Sequence, residues 1–228
     1  MKVACIIAAA GKGKRLNKKK EKAFVKIGRE PIIIHTLRAV SGCSFIDDII
    51  VCVPGKRIDK CRNLIRKCGI TKVRSVVRGG RRRSDSVKTG LREAGDADIV
   101  LVHDGARPFA DRGLIKKVFS AAGKFAAAVP AVTPRHTIKI SGRNGFIFKT
   151  PDRKLLREIQ TPQGFKKSLI TAAYKRAPSS EVTDDAGLVE RLGNKVKIVK
   201  GSYGNIKITT PEDLALAEAL LKKKKKKR

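Results

Sequence analysis

The chain has 228 residues, of which 41% are hydrophobic, and this composition is typical of a globular protein. The length suffices for one α/β domain with a sizeable core. No apolar run approaches the roughly 20 residues that a membrane-spanning helix needs. The five cysteines are odd in number and show no CxxC spacing. This pattern argues against a disulfide framework or a zinc site and predicts a protein of the reducing cytoplasm.

The charge is strongly one-sided, because 53 basic residues face 20 acidic ones and give a net charge of +33. Residues 222–228 form a basic tail, which we expect to be disordered, but most of the excess charge lies elsewhere. A field of this sign attracts anions and speeds their encounter with the protein. Phosphorylated substrates and nucleic acid both fit, and composition does not choose between them.

Short apolar runs alternate with amphipathic stretches in the first 130 residues. The predicted strands are Val3–Ala8, Ile49–Val53, Val73–Val77, Ile99–Val102 and Ala126–Pro130. The predicted helices are Ile32–Val40, Ile58–Lys67, Ser84–Glu93 and Arg112–Ala122. Because most of the strands are too apolar to leave one face in water, the alternation predicts an α/β fold with a doubly wound, mostly parallel sheet. Such sheets bind ligands beyond the carboxyl ends of their strands.

The pattern changes in the second half of the chain. Two short runs around a Gly-containing turn predict a projecting β-hairpin arm at about residues 135–152. The elements predicted after the arm are helices at Lys166–Lys175 and Asp184–Leu192, a strand at Val196–Val199, and a last helix that opens at Thr210-Pro211. We find no linker that divides the chain, so we expect one domain over residues 1–221.

A turn of small residues follows the first strand. Its sequence is Ala8-Ala-Ala-Gly11-Lys-Gly13-Lys-Arg15. The backbone of such a turn can approach a polyphosphate closely, and its N–H groups can hold phosphate oxygens. An ordinary tight turn has the same composition, so the segment alone is a weak signal. Arg15 and Lys22 strengthen it, since a bound polyphosphate needs cations.

A carboxylate stands at the carboxyl end of another apolar strand. Asp104 ends the run Val100-Leu-Val-His-Asp, where a divalent cation would meet a triphosphate. Mg²⁺ usually takes only one or two protein carboxylates, together with phosphate oxygens and water. A single aspartate is therefore adequate, and we expect the adjacent His103 to have a structural role.

These segments resemble the sugar-phosphate nucleotidyltransferase superfamily, and further segments resemble one of its families, the 2-C-methyl-D-erythritol 4-phosphate cytidylyltransferases. The resemblance extends from Val3 to about Leu221. The further segments are Gly79–Leu91, Val102–Pro108, Asp152-Arg153, Gln160–Phe165, Val182–Ala186 and Gly201–Asp213. The resemblance implies a Rossmann-like (GT-A-like) nucleotidyltransferase fold. It also implies transfer of CMP from CTP to methylerythritol phosphate, with release of pyrophosphate, in non-mevalonate isoprenoid biosynthesis.

The resemblance also implies roles for individual residues. The implied catalytic residues are Arg15, Lys22 and Lys207. The implied nucleotide-binding residues are Ala9, Ala10, Gly11, Gly80, Arg83 and Ser86. The implied residues for the second substrate are Arg107, Thr137, Arg153 and Thr183. Asp104 is implied to hold Mg²⁺ or another divalent cation, and the arm is implied to lie at a homodimer interface.

The sequence departs from the family pattern at three places. The usual Pro-Lys-Gln is Glu21-Lys22-Ala23 here, which removes a fixed φ before the lysine and places an acidic group that we expect to neutralise part of the site. Spacing from Arg15 selects Lys22 over Lys20 and Lys26. His136 stands before the threonine of the arm, and Arg81 stands after the double glycine, where the family often carries acidic residues.

Two other functions stay open. One is a cytidylyltransferase that acts on ribitol 5-phosphate, because substrate choice depends on the shape of the pocket. The other is a non-enzymatic nucleic-acid binder that uses the positive surface. Aromatic residues make up only 4% of the chain and no recognised binding module is present, so we expect nucleic acid to bind non-specifically if at all.

Overall fold

The computed structural model describes residues 1–11, 13, 15–16, 21–176 and 183–226, with only the backbone of Lys225 and Lys226. Three predictions concern positions outside these residues: the alternative lysine at position 20, Val182 in the Val182–Ala186 segment, and the last two residues of the basic tail.

The described chain forms twelve strands and seven α-helices. The strands are β1 Val3–Ala8, β2 Lys26–Ile27, β3 Glu30–Pro31, β4 Asp48–Val53, β5 Val73–Arg78, β6 Ile99–Asp104, β7 Ala127–Val132, β8 Ile140–Ser141, β9 Ile147–Lys149, β10 Glu158–Ile159, β11 Gln163–Lys166 and β12 Lys197–Lys200. The helices are α1 Ile32–Ser41, α2 Ile58–Lys67, α3 Arg83–Glu93, α4 Arg112–Phe125, α5 Lys167–Lys175, α6 Ala186–Arg191 and α7 Pro211–Lys226. Short 3₁₀ turns occupy Lys22–Phe24, Gly55–Arg57 and Arg153–Leu155.

Eight strands form one mixed sheet, in which seven follow the order β10-β7-β11-β6-β1-β4-β5. The eighth strand, β12, pairs with the edge of β7 opposite to β10 and β11. Strand β1 lies parallel to β4 and β6, β4 lies parallel to β5, and β12 lies parallel to β7. Strand β11 is antiparallel to both β6 and β7, and β10 is antiparallel to β7. The predicted α/β fold with a mostly parallel sheet is confirmed.

The central strands bury side chains on both faces of the sheet. Successive residues of β1 point to opposite sides, so Cys5 and Ile7 pack into one apolar cluster with α1, α2 and α4. Ala4 and Ile6 pack into a second cluster with α3, α5 and α6 on the other face. This double burial explains why the strands are nearly continuous apolar runs, and it fixes the sheet as the rigid support of the loops at its edge.

The hairpin arm is separate from the main sheet. Strands β8 and β9 pair only with each other, and residues 135–150 are all exposed. The two strands are short, with two residues in β8 and three in β9. Several large apolar side chains of the arm region face solvent, including Phe146, which is 75% exposed, and Phe148, which is 82% exposed.

The structure also differs from the sequence-based predictions in the second half of the chain. Strands β10 and β11 were not predicted, because Glu158–Ile159 and Gln163–Lys166 lack an apolar run and pair only through the tertiary fold. The basic tail was predicted to be disordered from residue 222, yet α7 continues through Lys226. Lysine has a good helix propensity, and positive charge stabilises the carboxyl end of a helix, so this prediction was wrong for residues 222–226.

Candidate nucleotidyl-transfer site

A cleft of about 250 Å³ opens at the carboxyl ends of β1, β5 and β6. This is the sheet edge where α/β folds bind ligands. The cleft brings together all of the predicted catalytic, nucleotide-binding and metal residues. They are Ala9, Ala10, Gly11, Arg15, Lys22, Gly80, Arg83, Ser86, Asp104 and Lys207.

Two backbone segments form one wall of the cleft. A Cβ atom on Gly79 would lie 2.4 Å from Cβ of Ala10, and a Cβ atom on Gly80 would lie 2.1 Å from Cβ of Asp85. Only glycine therefore lets the loop after β5 approach both the loop after β1 and helix α3. Ser86 is buried, and its Oγ accepts a hydrogen bond of 3.1 Å from the N–H of Gly80. The serine therefore fixes the shape of this wall.

Asp104 lies at the centre of a cluster of cations. Its Oδ1 lies 3.0 Å from Nε of Arg83, and its Oδ2 lies 2.8 Å from Nζ of Lys207. The Nε of Arg107 is 3.7 Å from the same Oδ2 atom. Burial opposes ionisation of Asp104, but the charges of Arg83 and Lys207 outweigh it and hold the pKa of the carboxyl well below its usual range. Asp104 is therefore ionised at neutral pH.

Lys22 faces the cleft from the 3₁₀ turn Lys22–Phe24, and its Nζ is 3.4 Å from Oγ1 of Thr209. Burial lowers the pKa of Lys22 to about 8, and the nearby positive charges of Lys207 and Arg15 act in the same direction. The negative charge of Asp104 opposes this shift only in part. An anion in the cleft would relieve the repulsion among these cations.

A fully buried carboxylate behind the cleft was not predicted. Asp185 lies 2.7 Å from Nη1 of Arg83, and its Oδ1 accepts a hydrogen bond from the hydroxyl of Tyr174. The Oε1 of Gln163 accepts bonds from the N–H groups of Asp185 and Ala186, and so holds the start of α6 against β11. Arg83 thus bridges two carboxylates, Asp104 and Asp185. The sequence signal for Asp185 was its place in the Val182–Ala186 segment.

A second buried network positions the backbone of Asp104. Its N–H donates to Oγ1 of Thr161, and that hydroxyl lies 2.9 Å from Nδ1 of His103. The Nε2 of His103 faces the carbonyl of Arg107, which can only accept, so Nε2 carries the proton and Nδ1 accepts from Thr161. Burial lowers the pKa of His103 to about 4, so the ring is neutral. His103 has the structural role expected of it.

Four predicted substrate residues do not line the cleft of their own chain. Arg107 lies behind Asp104, and its Nη1 donates to the carbonyl of Asn205 at 2.6 Å. Thr137 and Arg153 lie on the arm, where Nη1 of Arg153 donates to the carbonyl of Arg135. Thr183 is exposed and lies two residues before Asp185. Direct contact of these residues with a substrate stays a prediction.

Contrary to the expectation from the sequence, Glu21 does not neutralise part of the cleft, because its carboxylate pairs with other residues. The carboxylate of Glu21 points to the 3₁₀ turn after β4, where Nη2 of Arg57 lies at 2.7 Å and Nζ of Lys56 at 3.8 Å. The negative charge that replaces the usual proline at position 21 is therefore paired with two basic side chains outside the cleft.

The Rossmann-like α/β fold carries glycine-containing loops, four of the predicted cationic residues and one carboxylate at the carboxyl edge of the sheet, and this arrangement defines a nucleotidyltransferase. The sequence profile of the 2-C-methyl-D-erythritol 4-phosphate cytidylyltransferase family matches residues 3–223. The chain belongs to this family, as the resemblance implied.

Individual relatives agree with this assignment. The 2-C-methyl-D-erythritol 4-phosphate cytidylyltransferase of Clostridium perfringens is 43% identical over 223 residues, which are 97% of this chain and 99% of the relative. That of Pelotomaculum thermopropionicum is 44% identical over 225 residues, covering 97% and 94%. The crystal structure of 4-diphosphocytidyl-2C-methyl-D-erythritol synthase from Anaerococcus prevotii has a TM-score of 0.86 at 36% identity, covering 97% of this chain and 96% of that one. The Thermus thermophilus cytidylyltransferase has a TM-score of 0.77 at 34% identity, covering 97% and 100%.

Proposed function

We propose that this chain transfers CMP from CTP to 2-C-methyl-D-erythritol 4-phosphate, giving 4-diphosphocytidyl-2-C-methyl-D-erythritol and pyrophosphate. The observation that carries the proposal is that Arg15, Lys22, Lys207 and an ionised Asp104 line one cleft, with Nζ of Lys207 at 2.8 Å from Asp104. Two polyanions repel each other, and a cleft with surplus positive charge offsets that repulsion. Membership of the cytidylyltransferase family supplies the substrate class.

The nucleophile is a phosphate oxygen of the methylerythritol phosphate, which is already anionic at neutral pH. It forms a bond to the α-phosphorus of CTP while the bond from that phosphorus to the pyrophosphate oxygen breaks. No general base is needed, so positioning and electrostatic stabilisation supply the catalysis. Arg15 and Lys22 take up charge on the triphosphate, and Lys207 holds the incoming phosphate.

The carboxylate of Asp104 fits a magnesium ion as one ligand among several. Within the described ranges no three His, Cys, Asp or Glu side chains form a metal cluster, so phosphate oxygens and water would complete the coordination. Bound Mg²⁺ would neutralise charge on the phosphate groups. Lys207, whose side chain is 43% exposed, has room to leave the Oδ2 atom of Asp104 for a phosphate.

We further propose that two copies associate through the arm, so that each arm reaches the cleft of the other chain. Two observations support this. Phe146, Ile147 and Phe148 expose apolar surface that a soluble monomer would rarely leave in water. Thr137 and Arg153 do not line the cleft of their own chain, so a contact with substrate requires the cleft of another copy. We also propose a cytoplasmic location, which the five free thiols support.

Pyrophosphate release tests the reaction. The assay contains CTP, methylerythritol phosphate and Mg²⁺, and runs beside Asp104→Ala and Lys22→Ala. Loss of one such group should lower the rate by roughly a hundredfold, equivalent to ~3 kcal/mol of barrier. Arg66→Ala, which removes an exposed charge from α2, is the matched control and should leave the rate unchanged. Faster release with ribitol 5-phosphate than with methylerythritol phosphate would overturn the choice of substrate.

A further inference from the structure

Lys22 projects into the cleft from a single 3₁₀ turn, Lys22–Phe24, which must be held in place by contacts outside itself. The turn is closed by a hydrogen bond of 2.9 Å from the N–H of Phe24 to the carbonyl of Glu21. On one side, a Cβ atom on Gly13 would lie 2.4 Å from Cβ of Lys22, so the backbone of the first loop packs directly on the lysine. The position of the Lys22 side chain therefore depends on the first loop on one side and on Glu21, which begins the turn, on the other.

The residue that begins the turn is tied to the central sheet. Nη2 and Nε of Arg57 lie 2.7 Å and 3.0 Å from Oε2 of Glu21, and the side chain of Glu21 is only 13% exposed. The Arg57 side chain is itself mostly covered and lies over the ring of Phe24, the last residue of the turn. Arg57 thus contacts both ends of the Lys22 turn.

Arg57 is in turn anchored by its own backbone. It ends the 3₁₀ turn Gly55–Arg57 directly after β4, and its N–H donates to the carbonyl of Pro54 at 2.8 Å. Strand β4 lies between β1 and β5 in the sheet and is buried from Ile49 to Val53. A continuous set of contacts therefore runs from a rigid strand through Arg57 and Glu21 to Lys22.

The backbone of Glu21 shows what this ion pair fixes. Its φ is −64° and its ψ is 129°, which are the angles that a proline would adopt at the same place. We propose that Glu21 and Arg57 are positioning residues that hold the Lys22 turn, and that their ion pair performs in this chain the restraint that a proline ring would supply. This inference rests on the proposed role of Lys22 in the reaction.

The test compares Arg57→Ala with the double variant Arg57→Ala/Glu21→Pro in steady-state kinetics. Arg57→Ala should lower kcat roughly tenfold to a hundredfold, the effect of a displaced catalytic group, with little change in KM for methylerythritol phosphate. Adding Glu21→Pro should restore kcat to within about threefold of the parent, because the ring fixes the same φ. A merely structural role of Arg57 would not be rescued by a proline at a different position. Arg66→Ala on α2 is the control for loss of one arginine and should behave as the parent.

Glu21→Gln supplies a second measurement that does not depend on tolerance of proline. It should reproduce the loss of kcat seen in Arg57→Ala, and the double variant Glu21→Gln/Arg57→Ala should lose no more than either single variant. Thermal unfolding midpoints of all variants are recorded, so that a failure to fold is separated from a loss of positioning.

Four outcomes overturn the inference. A parental kcat in Arg57→Ala shows that the pair does not position Lys22. If the fold-losses in kcat of Glu21→Gln and Arg57→Ala multiply in the double variant, the two residues do not act as a unit. A folded double variant with proline that stays as slow as Arg57→Ala shows that the restraint is not on φ of residue 21. Parental activity in Lys22→Ala removes the proposed role of Lys22 and the inference together, whereas loss in Lys22→Ala with none in Arg57→Ala removes the inference alone.

Discussion

Lys22 must be charged to hold a triphosphate, yet it lies where a positive charge is disfavoured. Burial and the charges of Lys207 and Arg15 lower its pKa to about 8, and the carboxylates of Asp104 and Asp213 compensate only in part. An ordinary lysine has a pKa of about 10.4. The free enzyme therefore loses this charge within two pH units of neutrality.

We predict that kcat/KM for CTP falls as pH rises through about 8. The sign follows because a lowered pKa means that the folded protein releases the proton of Lys22 earlier than an unfolded chain would. A pH profile of pyrophosphate release measures the effect, since kcat/KM reports the pKa of the free enzyme. Lys22→Arg, which keeps its charge at all accessible pH values, should be slower but should lack this alkaline limb. An unchanged limb in that variant would assign it to another group.

Asp185 makes a different kind of contribution, because it is fully buried and touches no solvent-facing part of the cleft. Asp185 pairs with Arg83, whose other carboxylate partner among the described residues is Asp104. Arg83 contacts the two carboxylates through different nitrogens, Asp104 through Nε and Asp185 through Nη1. Through Arg83, the position of Asp104 therefore depends on a residue that does not line the cleft.

We predict that Asp185→Asn lowers the free energy of unfolding by about 3 kcal/mol, because breaking one partner from a buried ion pair leaves the other charge uncompensated. Urea unfolding measures the change. Asp96→Asn removes an exposed aspartate that is paired with Lys2, and it should cause no measurable change. Equal stability of the Asp185 and Asp96 variants would mean that Arg83 is satisfied without Asp185.

At the scale of elements, the sequence predicted those strands and helices that show a clear hydrophobic pattern. Strand β1 and helix α2 have the predicted bounds, because unbroken apolar runs and amphipathic stretches report burial directly. Strand β11 was missed because Gln163-Gly-Phe-Lys carries no such pattern, and its polar Gln163 is buried against α6. Its pairing is set by β6 and β7, which lie far away in the sequence.

The site was predicted where a motif follows a strand, as with the loops at Gly11 and Gly80 and the carboxylate Asp104. What escaped were pairings between elements that are distant in the chain, such as Arg83 with Asp185 and Glu21 with Arg57. No motif in the sequence pairs these residues with one another. Only the packing of α3, α6 and the turns at the sheet edge reveals the partner.

The arm is the element whose proposed function depends on a second copy. If each arm completes the cleft of the other chain, Arg153 and Lys22 act in one site but come from different chains. We predict that Arg153→Ala and Lys22→Ala, each nearly inactive alone, recover about a quarter of the parental rate when mixed and allowed to exchange subunits, because half of the dimers then carry one intact site. Pyrophosphate release after mixing measures the recovery.

A variant of the arm provides the control for that experiment. Phe148→Asp places a charge on the exposed apolar face, and should shift the protein to monomers in analytical ultracentrifugation. Mixtures that carry this substitution in both chains should show no recovery. Recovery in its presence, or a parental protein that is monomeric at assay concentration, would contradict the shared site.

At the scale of the whole molecule, the charge of +33 is far greater than the site needs. The cleft concentrates only a few of the 53 basic residues, and the others create a field around the protein. Such a field draws polyanions from a distance and is screened within about 10 Å at 0.1 M salt. The field therefore acts on the encounter with CTP and not on the chemical step.

We predict that kcat/KM for CTP falls about tenfold between low salt and roughly 0.5 M salt while kcat stays nearly constant, because screening weakens attraction before binding but not contacts inside the cleft. Truncation after Leu221 removes the seven basic residues at the end of the chain and should leave most of this salt dependence, since the remaining surface still carries a large excess. If the truncated protein loses the dependence, the tail alone steers the substrate. If the chain binds DNA tightly, with an affinity that falls steeply with salt, and shows no turnover, the positive field would instead serve to bind nucleic acid.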